Sequence, residues 1–126
     1  MKKRNRVMVC VTRQRHCERL IRLGREIADK EQGELFVVHV ARIGESFLGN
    51  PDEGKALDYL FSISKDVGAD MTVLRSENIV DTLVNFAKET EITAMVLGQP
   101  PDKRNDNIVR RLERRLADVE FRIVPG

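Results

Sequence analysis

The stretch A-M-V-L-G-Q-P-P-D-K-R-N-D-N-I-V-R-R-L, from Ala94 to Leu112, decides the fold. It begins with an apolar run that ends at Gly98, continues as a polar loop, and resumes with apolar residues at helical spacing from Ile108. A buried strand followed by a loop and a helix start is typical of one unit of a parallel α/β sheet. In such sheets the loop after the strand lies at the edge where ligands bind.

The same alternation of short apolar runs and helical spacing repeats along the chain and predicts five strands and four helices. The predicted strands are Arg6–Thr12, Glu34–Ala41, Asp70–Leu74, Thr93–Gly98 and Glu120–Val124. The runs V-M-V-C-V and L-F-V-V-H-V are apolar on both faces, which favours a parallel sheet that is covered on both sides. Right-handed crossovers then predict an open, doubly wound α/β domain over residues 1–126, with strand order 3-2-1-4-5.

Each predicted helix has one apolar face. The residues on these faces are Cys17, Leu20, Ile21, Gly24, Ile27 and Ala28; Leu57, Leu60, Phe61, Ser64 and Val67; Ile79, Val80, Leu83, Val84 and Ala87; and Ile108, Val109, Leu112 and Leu116. Gly33 and Gly68 are expected to be the left-handed residues that end the first two helices. Asn50 is expected to cap the second helix with Pro51 at its first position, and Asn78 to cap the third.

Composition excludes several classes of function. A chain of 126 residues with 41% apolar and 33% charged residues is typical of a soluble protein with one core. Its apolar runs are far shorter than the roughly 18 residues of a membrane helix, and no signal peptide is evident, so a cytoplasmic location is expected. The 22 basic and 20 acidic residues give a net charge of +2, which does not indicate a nucleic-acid binder.

The residues that commonly carry out chemistry are sparse. Cys10 and Cys17 have neither disulfide-framework nor zinc-ligand spacing, so we expect two ordinary reduced thiols. His39 has no second ligand at metal spacing, which favours a structural role. His16 and Cys17 are neighbours on a helix and point apart, so they do not form a nucleophile pair. We therefore expect no catalytic residue and no metal site.

Five short motifs are distributed over nearly the whole chain. They are R-V-M-V-C-V from Arg6, E-R-L-I-R from Glu18, F-V-V-H-V from Phe36, V-G-A-D from Val67 and M-V-L-G from Met95. In these motifs the chain resembles the universal stress protein family, and within it the stress-protein-like domain of KdpD-type potassium sensor kinases. The resemblance implies a flavodoxin-like, adenine-nucleotide α-hydrolase-like fold, which binds ATP or AMP in some members and has regulatory or sensing roles in others.

The chain departs from the family's nucleotide-binding motifs. ATP-binding members carry Gly-x-x-Gly and, about nine residues later, Gly followed by Ser or Thr, so that backbone N–H groups approach the phosphates. Here only Gly98 matches, because Pro101 occupies the second glycine position and Asp106-Asn107 replaces Gly-Ser/Thr. Thr12 stands where ATP binders usually have Asp, and the cyclic-dinucleotide motif of some kinase domains is not met either. Weak or absent ATP binding is expected.

The candidate ligand site lies where the loops after the first and fourth strands meet. Asn107 is expected to cap the fourth helix, and Arg110 and Arg111 in its first turn to hold an anion. Asp102 and Asp106 oppose an anion, and a solvated arginine face is the alternative. The full candidate set is Thr12, Arg13, Arg15, Val38, Gly98, Asn107, Arg110 and Arg111.

These observations favour a non-enzymatic regulatory or stress-response protein that senses an anionic nucleotide, with ATP, AMP or another adenine nucleotide bound weakly. An uncovered edge strand at Val119–Val124, with apolar Phe121 and Ile123, predicts a homodimer. A signalling protein is the other expected partner. Two alternatives stay open: a nucleotide-hydrolysing or nucleotidyl-transferring enzyme of the α-hydrolase superfamily, and a ligand-free interaction module related to kinase sensory domains.

Overall fold

The computed structural model describes residues 5–12, 14–30, 32–99 and 106–125, and strands alternate with helices along them. The strands are β1 (Arg6–Cys10), β2 (Glu34–Arg42), β3 (Asp70–Ser76), β4 (Ala94–Gly98) and β5 (Glu120–Val124). The helices are α1 (Gln14–Lys30), α2 (Glu53–Asp66), α3 (Ile79–Thr90) and α4 (Asp106–Arg115), and a 3₁₀ turn at Phe47–Gly49 precedes α2.

The five strands form one sheet in the order β3-β2-β1-β4-β5, and every neighbouring pair is parallel. This confirms the predicted fold class and strand order. Cys10 at the end of β1 is aligned with Val38 of β2 and with Leu97 of β4. β1 ends two residues earlier than expected because Val11 is beyond the last paired residue, although its N–H still donates to the Val38 carbonyl at 3.0 Å.

Helices cover both faces of the sheet, as the doubly apolar strands predicted. Alternate residues of β1 point to opposite faces. Val7 and Val9 belong to the core beneath α1 and α2, whereas Met8 and Cys10 belong to the core beneath α3 and α4. α1 and α4 therefore lie on opposite faces of the sheet, and this arrangement defines the crevice described below.

Most of the predicted helix-face residues are confirmed, although Leu57 and Val109 are only half-buried and belong to neither core. The clear exception is Phe61. Its side chain is 56% exposed, although the spacing assigned it to the buried face of α2. The buried residues of that helix are Ala56, Leu60, Ile63 and Ser64. Phe61 follows Leu60 and is rotated by about 100° around the helix, which turns it out of this stripe.

The two glycines predicted to end α1 and α2 have different roles. Gly68 has φ +66° and ends α2 as expected. The prediction for Gly33 is wrong, because the left-handed residue after α1 is Gln32, with φ +52°. Gly33 is needed for close approach instead, since a Cβ there would lie 2.5 Å from the Asn5 carbonyl oxygen.

The helix caps also differ in part from prediction. Asp52, and not Asn50, caps α2, because its carboxylate accepts from the Lys55 N–H at 3.2 Å. The Asn50 side chain instead accepts from the Asp52 N–H at 3.0 Å, which stabilises the turn before the helix. The cap of α3 is confirmed, since the Asn78 side chain accepts from the Asp81 N–H at 3.1 Å.

Candidate functional site

The crevice at the carboxyl edge of the sheet lies where the chain leaves β1 and β4. These strands are neighbours, and Cys10 and Leu97 are aligned, so the residues after each strand leave the sheet side by side. Thr12 and Gly98 are exposed at this edge. The helix after β1 lies on one face and the helix after β4 on the other, which is the arrangement that opens a ligand crevice in α/β sheets.

Several predicted site residues lie outside the part of the chain that the structure describes. Arg13 and residues 100–105 of the loop after β4 are among them, so the predictions about Pro101 and Asp102 concern undescribed positions. Arg15 lies in the first turn of α1 and Asn107 in α4, but their side chains are not described.

The start of α4 corrects the prediction for Asn107. The helix begins at Asp106, so Asn107 is its second residue and not its N-cap. Arg110 and Arg111 consequently lie in the second turn, about 6 Å along the axis from the first residue, rather than in the first turn. Both side chains are exposed to solvent.

Val38 and Gly98 occupy contrasting positions. The Val38 side chain is 1% exposed and packs in the core beneath α3 and α4, and its carbonyl accepts from Val11. The Val38 side chain therefore packs in the core and is not exposed to a ligand. Gly98 is open to solvent, and a Cβ there would make only an ordinary 3.6 Å contact with Leu20 Cδ1.

His39 joins the end of β1 to the turn before α2. Its Nδ1 atom lies 2.8 Å from the Val11 carbonyl oxygen, and its Nε2 atom accepts from the Leu48 N–H at 2.9 Å. Because a carbonyl only accepts and a backbone N–H only donates, the ring is the neutral tautomer with its proton on Nδ1. Burial lowers the pKa of His39, and the positive charge of Arg75 lowers it further, while the Val11 contact acts in the opposite direction. The structural role predicted for this histidine is supported by these contacts.

A cluster of Phe47, Glu53 and Arg75 covers the same turn and was missed by sequence reasoning. The Arg75 guanidinium lies over the Phe47 ring at 4.0 Å, donates to the Glu45 carbonyl at 2.8 Å and pairs with the Glu53 carboxylate. Glu53 also accepts from the Phe47 N–H at 3.1 Å, and this bond, followed by the Arg75 contact, lowers the pKa of Glu53. The available signal was the apolar pair Phe47-Leu48 between the predicted second strand and the predicted second helix.

Both thiols of the described residues are buried. Cys10 and Cys17 are buried free thiols, and burial raises the pKa of each to about 12. Over residues 5–12, 14–30, 32–99 and 106–125, no group of three histidine, cysteine or carboxylate side chains is placed to hold a metal ion.

A shallow cavity of about 280 Å³ lies at the opposite edge of the sheet from the crevice. It is lined by residues that follow α3 and α4 and by the ends of those helices, including Lys88, Glu91, Thr93, Arg115 and Asp118. Topology favours the carboxyl edge as the functional site, because ligands of open α/β sheets bind where neighbouring strands lead to helices on opposite faces. No helix of the described chain has the length and apolarity to cross a membrane.

Comparison with known proteins agrees with this geometry. No protein-family model matches the chain. The sensor protein KdpD of Mycobacterium tuberculosis is 34% identical over 97 residues, which cover 75% of this chain and 11% of that protein. A universal stress protein of Archaeoglobus fulgidus in complex with dAMP has a TM-score of 0.59, with 21% identity over 99% of this chain and 98% of its own. A universal stress protein in complex with cAMP has a TM-score of 0.71, with 17% identity over 95% and 96%.

The fold and its crevice define an open, parallel, flavodoxin-like α/β domain. Together with the sequence similarity to KdpD, the comparisons confirm the resemblance of this chain to universal stress proteins and to the sensor protein KdpD. The chain spans only about a tenth of the length of the KdpD protein that it matches.

Proposed function

We propose that this chain is a single, non-enzymatic regulatory domain of the universal stress type that senses an anionic adenine nucleotide at the carboxyl edge of β1 and β4. The observation that carries the proposal is the crevice between these strands, with Thr12 and Gly98 exposed at its edge and α1 and α4 on opposite faces. Ligands of open α/β sheets bind in such a crevice.

The anionic character of the ligand is inferred from α4. Arg110 and Arg111 are exposed and form no ion pair with the described residues, whereas Arg115 on the same helix pairs with Asp81. Guanidinium groups near a helix N-terminus hold phosphate by paired, charge-assisted hydrogen bonds. Asp106, the first residue of α4, carries a negative charge that opposes an anion, so binding requires the two arginines to outweigh it.

The adenine nucleotide is inferred from the structural neighbours, two of which are complexes with dAMP and cAMP. Because the glycine-rich loop of ATP-binding members is absent, AMP-like ligands are expected to bind better than ATP. The non-enzymatic role is supported by the buried thiols of Cys10 and Cys17 and by the two main-chain bonds that occupy His39. Neither thiol is exposed to a ligand, and both ring nitrogens of His39 are engaged by the main chain.

Amide NMR titrations of the ¹⁵N-labelled chain with AMP, dAMP, cAMP, ATP and phosphate test this function. We expect shifts at Thr12, Gly98, Arg110 and Arg111, weaker binding in an Arg110→Ala, Arg111→Ala double variant, and little change in Arg114→Ala, which lies one turn further along α4. Mass spectrometry of molecules that co-purify with the chain identifies the natural ligand. Absence of shifts with all five compounds, or shifts that the double variant leaves unaltered, would favour the solvated arginine face.

We propose that the chain forms a homodimer and that ligand binding changes its interaction with a signalling protein. A relative is a sensor protein, and this supports a role in signal transduction. Among the described residues β5 has β4 on one side only, which leaves its other edge for a second copy of the chain.

A further inference from the structure

The 3₁₀ turn at Phe47–Gly49 is held in a conformation that its sequence does not favour. Leu48 has φ +56° and ψ +19°, which is the left-handed region, and this costs a non-glycine residue about 1 kcal/mol or more. The Leu48 side chain is 3% exposed, and its N–H donates to His39 Nε2. Burial of this side chain and the bond to the imidazole therefore maintain the turn against its backbone preference.

The imidazole of His39 contacts main-chain groups of two separate segments. Nδ1 donates to the carbonyl of Val11, which follows β1, and Nε2 accepts from the turn. The Phe47 ring packs edge-on against the imidazole, with ring centres 5.8 Å apart. The imidazole is therefore fixed by two hydrogen bonds and one aromatic contact. The same imidazole therefore connects the exit of β1 to the turn before α2.

We propose that His39 is a pH-sensitive latch, which holds the turn against the carboxyl end of β1 when neutral and releases it when protonated. A proton can be added only at Nε2, because Nδ1 already carries one. The resulting N–H faces the Leu48 N–H, so an accepting atom is replaced by a donor and the hydrogen bond is lost. The bond from Nδ1 to Val11 survives, and the change is therefore confined to the turn.

The charged and titratable groups on the elements around His39 lie on β1, β3, α1, α2 and the turn itself. Arg75 on β3 stays charged throughout, and its positive charge disfavours protonation of the ring. Glu53 in the first turn of α2 has a lowered pKa and remains a carboxylate. On β1 and α1, the pKa of each thiol of Cys10 and Cys17 is raised to about 12, so both stay neutral. Glu45, on the turn itself, contributes its carbonyl to Arg75.

NMR of the full chain between about pH 8 and pH 5 tests the latch. We expect His39 to be the Nδ1-H tautomer at high pH, with a protonation midpoint below 6.5. The amides of Leu48 and Gly49 should titrate with the same midpoint, and their hydrogen exchange, corrected for its intrinsic pH dependence, should become about tenfold faster on protonation. Amides in the middle of β1 and β4 should not respond. Signals of the chain's other histidine are assigned with His16→Gln.

Two variants separate the latch from a general loss of stability. The amide of His39→Gln can accept from Leu48 without titrating, so its turn should stay protected and insensitive to pH. The shorter side chain of His39→Asn can reach only the Val11 carbonyl, so its turn should exchange fast at every pH. The proposal is overturned if wild-type His39 titrates while the Leu48 amide does not respond, or if the imidazole is the Nε2-H tautomer. It is equally overturned if the turn of a folded His39→Gln variant keeps the wild-type pH dependence.

Discussion

Arg25 on α1 donates a hydrogen bond from its guanidinium to the carbonyl of Val67, at 2.7 Å, where α2 ends. The last carbonyls of a helix have no partner within the helix, so this bond satisfies one of them from a neighbouring element. The same side chain lies 2.9 Å from the Asp29 carboxylate and 3.5 Å from the Gly33 carbonyl oxygen. One half-buried arginine thus joins α1, the end of α2 and the entry to β2.

The substitution Arg25→Met is expected to lower the free energy of unfolding by about 1–3 kcal/mol, because the Val67 carbonyl loses its charged donor while the aliphatic packing is kept. Chemical denaturation measures the loss. The matched control is Arg22→Met on the same helix, where an exposed arginine forms an i,i+4 pair with Glu18, and a change below about 0.5 kcal/mol is expected. Equal losses in the two variants would contradict the role assigned to Arg25.

Gly24→Ala in α1 is expected to destabilise the protein, although alanine is the better helix former. A Cβ at this position would lie 2.3 Å from Val9 Cγ2 and 3.1 Å from Leu35 Cδ1, both in the core. The cost of this overpacking is about 1–3 kcal/mol by thermal or chemical denaturation. Gly54→Ala in α2 is the control, because its Cβ would meet nothing closer than 3.6 Å, and it should be neutral or slightly stabilising. A stabilising effect at Gly24 would refute the close approach of α1 to the sheet.

Ser64 and Thr93 give opposite predictions for the loss of a hydroxyl. The Ser64 hydroxyl is fully buried and has no hydrogen-bond partner among the described residues, so Ser64→Ala should be neutral or stabilising by up to about 1 kcal/mol. Thr93 accepts from the Arg6 N–H at 3.0 Å and donates to the Arg6 carbonyl at 3.1 Å. Thr93→Val should therefore lose about 1–3 kcal/mol. Urea denaturation of both variants checks the contrast, which fails if Ser64→Ala is the less stable of the two.

The sequence pattern predicted the sheet correctly but misassigned individual residues. Strand runs such as V-M-V-C-V predicted the parallel sheet because burial on both faces leaves a direct compositional signal. Phe61 was assigned wrongly because a step of about 100° per residue leaves adjacent positions ambiguous at the margin of a helix face. Gly33 was assigned wrongly because glycine serves both close approach and positive φ, and only the position of Asn5 in space separates the two.

The candidate site was predicted less completely for a physical reason. The strand order makes β1 and β4 neighbours, so the position of Thr12 and Gly98 at the same edge of the sheet was predictable. The bond between His39 and Leu48 depends on a left-handed leucine, which local sequence disfavours and which burial and the imidazole bond maintain. The start of α4 was misplaced because Asn107 has a strong preference for the N-cap, whereas the helix already includes Asp106. Such contacts are set by the three-dimensional arrangement of the chain and leave no pattern in the sequence.

Glu53 predicts a pH dependence of stability in acid. Its pKa is lowered by the Phe47 N–H and by Arg75, so the unfolded state takes up this proton at a higher pH than the native state. The stabilisation is therefore complete above its ordinary pKa of 4.5 and is lost as the pH falls through the lower native value. Glu53→Gln should reduce stability at neutral pH and flatten its fall in acid, measured by urea denaturation from about pH 7 to pH 3. A fall as steep as in wild type would contradict this assignment.

The edge of β5 gives the prediction on assembly. Ile123 is 38% exposed on a strand whose outer edge is unpaired within the described chain, and a two-fold partner would cover both features. We expect a dimer at micromolar concentration in sedimentation experiments. Ile123→Lys should shift it to monomer by placing a charge in the paired edge. Ile43→Lys is the control, because Ile43 is more exposed, at 63%, but lies beyond β2, and the dimer should persist. A wild-type monomer, or the same distribution in both variants, would rule out this interface.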